Sequence, residues 1–177
     1  MTGCKMENSY FAPGQFVLET EYPDWENIKH VMIRSFVETT DYEDRTQNTC
    51  DINNISLGFY EFTLKKIQEN EIPIEKIDAI HSWYIDYKPH GYQKIHNHTN
   101  EDSLISTVMY FEESDGSLVT LLGHSNTEVQ HIEINPTPGK LVILNGNVNH
   151  LTYPSAKPRS VLVINFKAKW KSDDTIN

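Results

Sequence analysis

The spacing of apolar residues changes repeatedly along this chain, and each change predicts a change of structure. From Met1 to Pro13 they are scattered without period, which predicts a flexible start. Gln15 to Thr20 alternates loosely, as a half-buried strand does. Beyond the Pro23-Asp24 break, Ile28, Val31, Met32, Phe36 and Val37 recur every three to four residues. That is the period of an amphipathic helix, with Asp24 placed to cap it. Thr39 to Asn54 is dense in Asp, Asn and Thr and carries no apolar period, so it predicts a loop. Leu57, Tyr60, Leu64 and Ile67 restore helical spacing over Ser56 to Asn70.

After Pro73 the period drops to two. Strands are predicted over Ile80 to Tyr87, Tyr92 to His98, Ser103 to Glu112, Ser117 to Leu122, Glu128 to Ile134, Lys140 to Asn145, Asn147 to Tyr153 and Ser160 to Lys167. Asp115-Gly116, Pro138-Gly139 and Asn145-Gly146 supply turns between them. No helical stretch separates these strands, which argues against a parallel sheet built from βαβ units. The pattern predicts a mainly β domain, a double-stranded β-helix or jelly roll of two facing sheets with two N-terminal helices supporting the outside of one. No repeat or low-complexity tract divides the chain. The expectation is one domain over residues 1–177, with helical support over 15–78 and the jelly-roll core over 79–168.

Composition narrows the setting. Apolar residues at 38% and bulky material from nine Tyr, seven Phe and three Trp predict a packed core rather than disorder. The formal net charge of -10 argues against nucleic acid or an anionic membrane as partner and favours a neutral or basic one, although the same charge also serves solubility. Cys4 and Cys50 form no disulfide framework and no Cys-x-x-Cys pair. With no long apolar run and no basic-then-apolar leader, the expected compartment is the cytosol.

Against that background one group of side chains carries chemistry. His96 and His98 are separated by one residue, and on an extended strand both rings would aim at one point. His150 follows 54 residues after His96, on another predicted strand. Two ligands from one strand and a third from elsewhere would form a facial metal site with its opposite side open. Histidines at single strand positions are more often ordinary hydrogen-bonded residues, and His30, His81, His90, His124 and His131 have no comparable spacing.

Arg159 opens the last predicted strand, where Arg159, Val161, Val163 and Asn165 share one face. A guanidinium on an apolar inward face requires an acidic partner, either a protein carboxylate or a bound anion. Tyr110 offers a hydroxyl from a neighbouring strand and is equally suited to the core.

Taken together, Tyr87-Lys-Pro-His-Gly91, His96-x-His98, Met109-Tyr110-Phe111, Pro138-Gly139-Lys-Leu-Val-Ile-Leu, His150 and Arg159-Ser160 resemble the 2-oxoglutarate and Fe(II)-dependent dioxygenases, in the prolyl hydroxylase branch with its small bacterial and phage-type relatives. The resemblance spans Ile80 to Phe166. It implies Fe(II) held by His96 and His150, 2-oxoglutarate as cosubstrate with O2, and ascorbate in a supporting role. It also implies that Arg159 pairs with the distal carboxylate of 2-oxoglutarate, Tyr110 being a second donor. Tyr87 would line the cosubstrate pocket, and Asn165 would lie near its metal-proximal end.

The sequence departs from the family at His98, where an Asp or Glu is usual. Three arrangements fit the residues: His98 as the third ligand in an all-imidazole site, Glu101 or Asp102 folded back to supply a carboxylate, or the motif shifted onto His98 and Asn100. The implied reaction couples decarboxylation of 2-oxoglutarate to hydroxylation of an unactivated C–H bond. A prolyl side chain of a basic protein or peptide is the expected substrate, with Thr39 to Asn54 as a lid. Two other classes fit the same residues: a cupin-like three-His metalloenzyme acting as another dioxygenase, an isomerase or a hydrolase, and a non-catalytic jelly-roll binding module.

Overall fold

A computed structural model describes residues 7–32, 37–42, 45–49, 55–99, 105–125 and 127–171. Along the chain the elements are β1 (Asn8–Ala12), β2 (Gln15–Glu21), α1 (Trp25–Met32), β3 (Val37–Tyr42), β4 (Arg45–Thr49), α2 (Leu57–Glu69), β5 (Ile74–Tyr87), β6 (Gln93–His96), β7 (Ile105–Tyr110), β8 (Leu118–Gly123), β9 (Val129–Ile134), β10 (Lys140–Asn145), β11 (Asn149–Thr152) and β12 (Arg159–Trp170). Eight strands form a major sheet in the order β1-β2-β10-β7-β12-β5-β4-β3, and four form a minor sheet in the order β6-β11-β8-β9. The paired strands run antiparallel. The result is the expected mainly β jelly roll.

The alternation on β12 determines how the layers stack. Val161 and Val163 enter the core between the sheets with Ile85, Val108, Leu118, Leu122, Ile132, Val142 and Leu144. Leu162, Ile164 and Phe166 enter a second core on the opposite face of the major sheet, with Ile28 of α1 and Phe59 and Ile67 of α2. Both faces of β12 are therefore buried from Arg159 to Phe166, as befits a central strand. Each such aliphatic or aromatic side chain contributes about 1.5–3 kcal/mol on burial.

The first half of the chain departs from its pattern in three places. Thr39 to Asn54 was expected to be loop, yet β3 and β4 pair with each other, and β4 pairs with β5 to extend the major sheet. Polar residues tolerate this edge position because the ladder to β5 satisfies their backbone groups. The start of the chain similarly yields β1, paired with β2. Val37 begins β3 and so falls outside the helix, which is described only to Met32.

On α2 the buried positions are Phe59, Thr63 and Ile67, while Leu57 is 69% exposed. The helix is turned relative to the expected stripe because Phe59 packs edge-on against Tyr22, at 5.1 Å between ring centroids. Tyr60 still reaches Phe166, at 5.7 Å.

A candidate metal and carboxylate site between the sheets

Two strands of the minor sheet bring the first two imidazoles together. In the antiparallel pairing of β11 with β6, His150 stands opposite His96. Their ring centroids are 4.2 Å apart. His98 joins them by a different route from the expected one. β6 ends at His96, and the His98 backbone N–H donates to the Gly146 carbonyl at 2.8 Å, in the turn between β10 and β11. Asn97 fixes this departure, donating to Asn149 Oδ1 at 2.8 Å and accepting the Thr99 hydroxyl at 2.8 Å. The His98 ring lies 5.3 Å from that of His96 and 5.2 Å from that of His150. One potential ligand atom from each of the three residues lies within 4.8 Å of the others.

Hydrogen bonds orient the rings. Nδ1 of His96 lies 2.8 Å from the Lys94 carbonyl, and Nδ1 of His150 lies 3.0 Å from the Val148 carbonyl. A carbonyl accepts only, so in both rings the proton sits on Nδ1 and Nε2 keeps its lone pair for a metal. Burial, reinforced by the neighbouring His96, pushes the His150 pKa down to about 3. His150 is thus a neutral imidazole at any pH near 7. The site fits a divalent transition metal: three convergent imidazoles, two of them with the proton on Nδ1 so that Nε2 is the acceptor nitrogen, at the end of a cavity. Glu101, Asp102 and Asn100 lie outside the described residues.

The same cavity reaches Arg159. With a volume of about 180 Å³, it is lined at one end by His96, His98 and His150 and at the other by Tyr87, Tyr110 and Arg159. Val108, Val161, Val163, Ile85 and Leu118 supply apolar walls. Arg159 is 2% exposed. It donates to the Tyr153 carbonyl at 2.8 Å and, at longer range, to Ser114 Oγ at 3.4 Å and the Gly91 carbonyl at 3.5 Å. All three are neutral acceptors, and its Nε has no hydrogen-bond partner. Burial lowers the Arg159 pKa from its ordinary value. A buried guanidinium satisfied only by neutral acceptors is matched to an incoming carboxylate, since pairing removes much of its desolvation cost.

Tyr87 and Tyr110 complete this end. Tyr87 is the pairing partner of Arg159 across β5 and β12, and the guanidinium sits 4.5 Å from its ring centroid, within range of a cation–π contact. Tyr110, opposite Val161 on β7, is fully buried. Burial above all, and then Tyr87, raises its pKa, so it remains a neutral hydroxyl. Asn165 stands at the imidazole end, 0% exposed, with Nδ2 3.1 Å from His98 Nδ1.

Several residues became visible only in three dimensions. Gln93 bridges the two ends, its Nε2 lying 3.2 Å from His96 Nε2 and its Oε1 accepting the Tyr87 hydroxyl at 3.1 Å. Its place three residues before His96 was a weak signal. Gly116 makes room for the anchor: a Cβ there would collide with Arg159 Nη1 and lie 2.6 Å from the Tyr153 carbonyl. Ser106 backs Asn165 through a 2.8 Å hydrogen bond to Oδ1. Gln47 of β4, in the segment expected to be a lid, also lines the cavity.

No family model matches the chain, and no curated protein matches it. Solved structures do. A prolyl-4-hydroxylase from Pseudomonas putida superposes with a TM-score of 0.62 at 15% identity, covering 86% of this chain and 92% of that one. The chain shares its fold. A viral collagen prolyl hydroxylase from Paramecium Bursaria Chlorella virus-1, solved with 2-oxoglutarate, gives 0.61 at 10% identity over 88% of this chain and 96% of that one. HygX from Streptomyces hygroscopicus, solved with nickel and 2-oxoglutarate, gives 0.62 at 10% identity over 85% and 82%. Among the described residues no helix is long and apolar enough to cross a membrane.

Proposed function

We propose that this chain is a 2-oxoglutarate- and Fe(II)-dependent oxygenase that hydroxylates an unactivated C–H bond. The observation that carries the reading is a single cavity with three convergent imidazoles at one end and, at the other, a buried arginine held only by neutral acceptors. A bifunctional ligand is thereby called for, one that chelates a metal and ends in a carboxylate. 2-Oxoglutarate is such a molecule, and it is bound in two of the structures that share the fold.

In this reading His96, His98 and His150 hold the metal. Arg159 takes the distal carboxylate, with the Tyr110 hydroxyl as a second donor, while Tyr87 supports the guanidinium from its ring face. Asn165 serves the metal end of the pocket through His98. The iron and cosubstrate would supply the oxidising chemistry, O2 and 2-oxoglutarate giving succinate, carbon dioxide and a hydroxylated product. The protein's contribution is to orient the cosubstrate, keep His150 neutral and exclude water with the valine-rich wall.

A peptide or protein substrate, with prolyl as the preferred side chain, draws support from the prolyl hydroxylases among the fold's neighbours. The net charge of -10 favours a basic one. The cytosol is the proposed compartment. A cupin-like metalloenzyme remains the second reading because the third described ring is an imidazole where a carboxylate is usual. Arg159 would then bind the anionic part of a substrate.

Protein loaded anaerobically with Fe(II) and then given 2-oxoglutarate and O2 tests the proposal. Succinate should form with the wild type and not with His150→Ala. Arg159→Ala should raise the 2-oxoglutarate requirement steeply. Equal succinate from wild type and His150→Ala would overturn the oxygenase reading, and metal binding indifferent to 2-oxoglutarate would favour the second. Mass spectrometry of basic peptides for the gain of one oxygen addresses the substrate.

A further inference from the structure

We infer that Trp83 is a specificity-determining residue: its indole is the wall of the cavity mouth against which the substrate lies, and it receives an uncharged apolar side chain while the cavity turns away a cationic one. The inference rests on the oxygenase reading above and deepens it by saying which kind of side chain reaches the metal.

Exposure along β5 locates the mouth. His81, Trp83, Ile85 and Tyr87 share one face of that strand, and they pass from exposed through half-buried to buried. Tyr87, opposite Arg159, marks the closed end. Trp83 is four residues nearer to solvent, roughly 13 Å along an extended strand. It lines the same cavity as the imidazoles. It stands opposite Val163, while His81 stands opposite Asn165, whose Nδ2 is 3.1 Å from the His98 ring. Trp83 is thus at the imidazole end of the cavity and at its opening. The ladder holds it between Thr49 of β4 and Val163 of β12. His81 stacks on it with 5.6 Å between ring centroids and 25° between planes. An indole fixed in this way offers a large apolar surface at little further cost in conformational freedom.

Charge decides what that surface receives. Among the described residues no aspartate or glutamate lines the cavity, whereas Arg159 does, and the proposed metal would add a second positive centre. A substrate ammonium or guanidinium would lose its water there without gaining a carboxylate. An indole face attracts cations, but that gain is small beside the desolvation cost and the repulsion from Arg159. Ile85, Val108 and Val163 continue the apolar wall. The net charge of -10 acts outside, drawing a basic chain toward the protein at long range. Size points the same way. At about 180 Å³ the cavity is smaller than the roughly 300–1,000 Å³ pockets that enclose whole ligands, so one side chain enters beside the cosubstrate and the rest of the substrate stays outside.

Binding without turnover tests this. Protein loaded with Zn(II), which has no redox chemistry, and with 2-oxoglutarate is titrated with three peptides that share lysine flanks and differ only in a central proline, leucine or lysine. The readouts are the dissociation constant and the nitrogen–proton NMR signal of the Trp83 indole, assigned by its loss in Trp83→Phe. The prolyl and leucyl peptides should move that signal and bind at least about tenfold more tightly than the lysyl one. Trp83→Ala should weaken the prolyl peptide by about tenfold. Trp83→Glu supplies the carboxylate that the cavity wall lacks and should reverse the ranking, so that the lysyl peptide binds best. A residue that serves packing alone would not produce that reversal.

Should Trp83→Glu fail to fold, the wild-type ranking and the indole signal still decide. The inference is overturned if the lysyl peptide binds the wild type as tightly as the prolyl one, if the peptides leave the indole signal in place, or if folded Trp83→Glu keeps the wild-type ranking. A wild type that binds no 2-oxoglutarate removes the oxygenase reading itself. A wild type that binds 2-oxoglutarate but does not distinguish the peptides leaves that reading intact and removes the inference alone.

Discussion

His150 lies directly across from His96 in the β11–β6 ladder, and each presents an Nδ1 to a backbone carbonyl two residues before it in the chain. The pair is preformed for the proposed metal, its geometry set by the backbone rather than by side-chain packing. His150→Ala should therefore leave the fold intact and reduce Co(II) affinity by more than about a hundredfold, exceeding the loss usual for residues that only support ligands. A spectral titration checks this, with the thermal midpoint as the folding control.

Gly116 should be as intolerant of change as any ligand. A methyl group at this position collides with Arg159 Nη1 and approaches Ser155 Cβ to 2.8 Å. Gly116→Ala is expected to cost about 1–3 kcal/mol of stability through overpacking. It should weaken 2-oxoglutarate binding by at least about tenfold, because a displaced fork loses a charge-assisted pair. Calorimetry with 2-oxoglutarate on metal-loaded protein, beside a denaturant melt, would show both effects or refute the cradle.

Under the proposed metal site Gln93 would compete with the metal, since its amide nitrogen lies 3.2 Å from the Nε2 that His96 would offer. Removing it with Gln93→Ala should increase Co(II) affinity by a few-fold, in line with about 1 kcal/mol for a neutral hydrogen bond. A decrease would mean that Gln93 assists binding instead of competing with it.

Alkaline pH should destabilise the fold through its buried tyrosines. Burial pushes the Tyr84 hydroxyl up to about 12 and also raises Tyr110. An unfolded tyrosine titrates near 10. Between those values the folded chain keeps protons that the unfolded chain releases, so stability present below pH ~10 is lost as pH rises through the folded pKa. Denaturant midpoints from pH 8 to 12 should fall across that window, and Tyr84→Phe should fall less steeply. Parallel curves for the two proteins would contradict the assignment.

Much of this architecture was legible in the sequence because the second half of the chain alternates cleanly. The pattern on β12 assigned Val161 and Val163 to one face and Leu162 and Ile164 to the other, and these residues enter two separate cores. β3 and β4 were not legible. Their residues are polar, and their strand state comes from pairing with β5, a partner many residues away.

The site divides the same way. His96 stood out by its strand spacing from His98, His150 as a third histidine on another predicted strand, and Arg159 as a charge costly to bury without a partner. His98 was placed on a strand it does not occupy, because the Gly146 carbonyl that captures its N–H belongs to a distant turn. Gln93 carries only a weak signal and Gly116 only that of a turn, while Ser106 carries none; all three acquire a role from what the fold places beside them.

β12 lies between β7 and β5 in the major sheet, although it follows both in the chain. A chain emerging from the ribosome must therefore hold open a gap in the middle of that sheet until its last described strand is made, a non-local closure of the kind that slows folding. β6 and β11, which carry His96 and His150, are complete before then. Biosynthesis thus delivers the imidazole pair first and the arginine last, so a nascent chain could capture metal before it could accept a dicarboxylate.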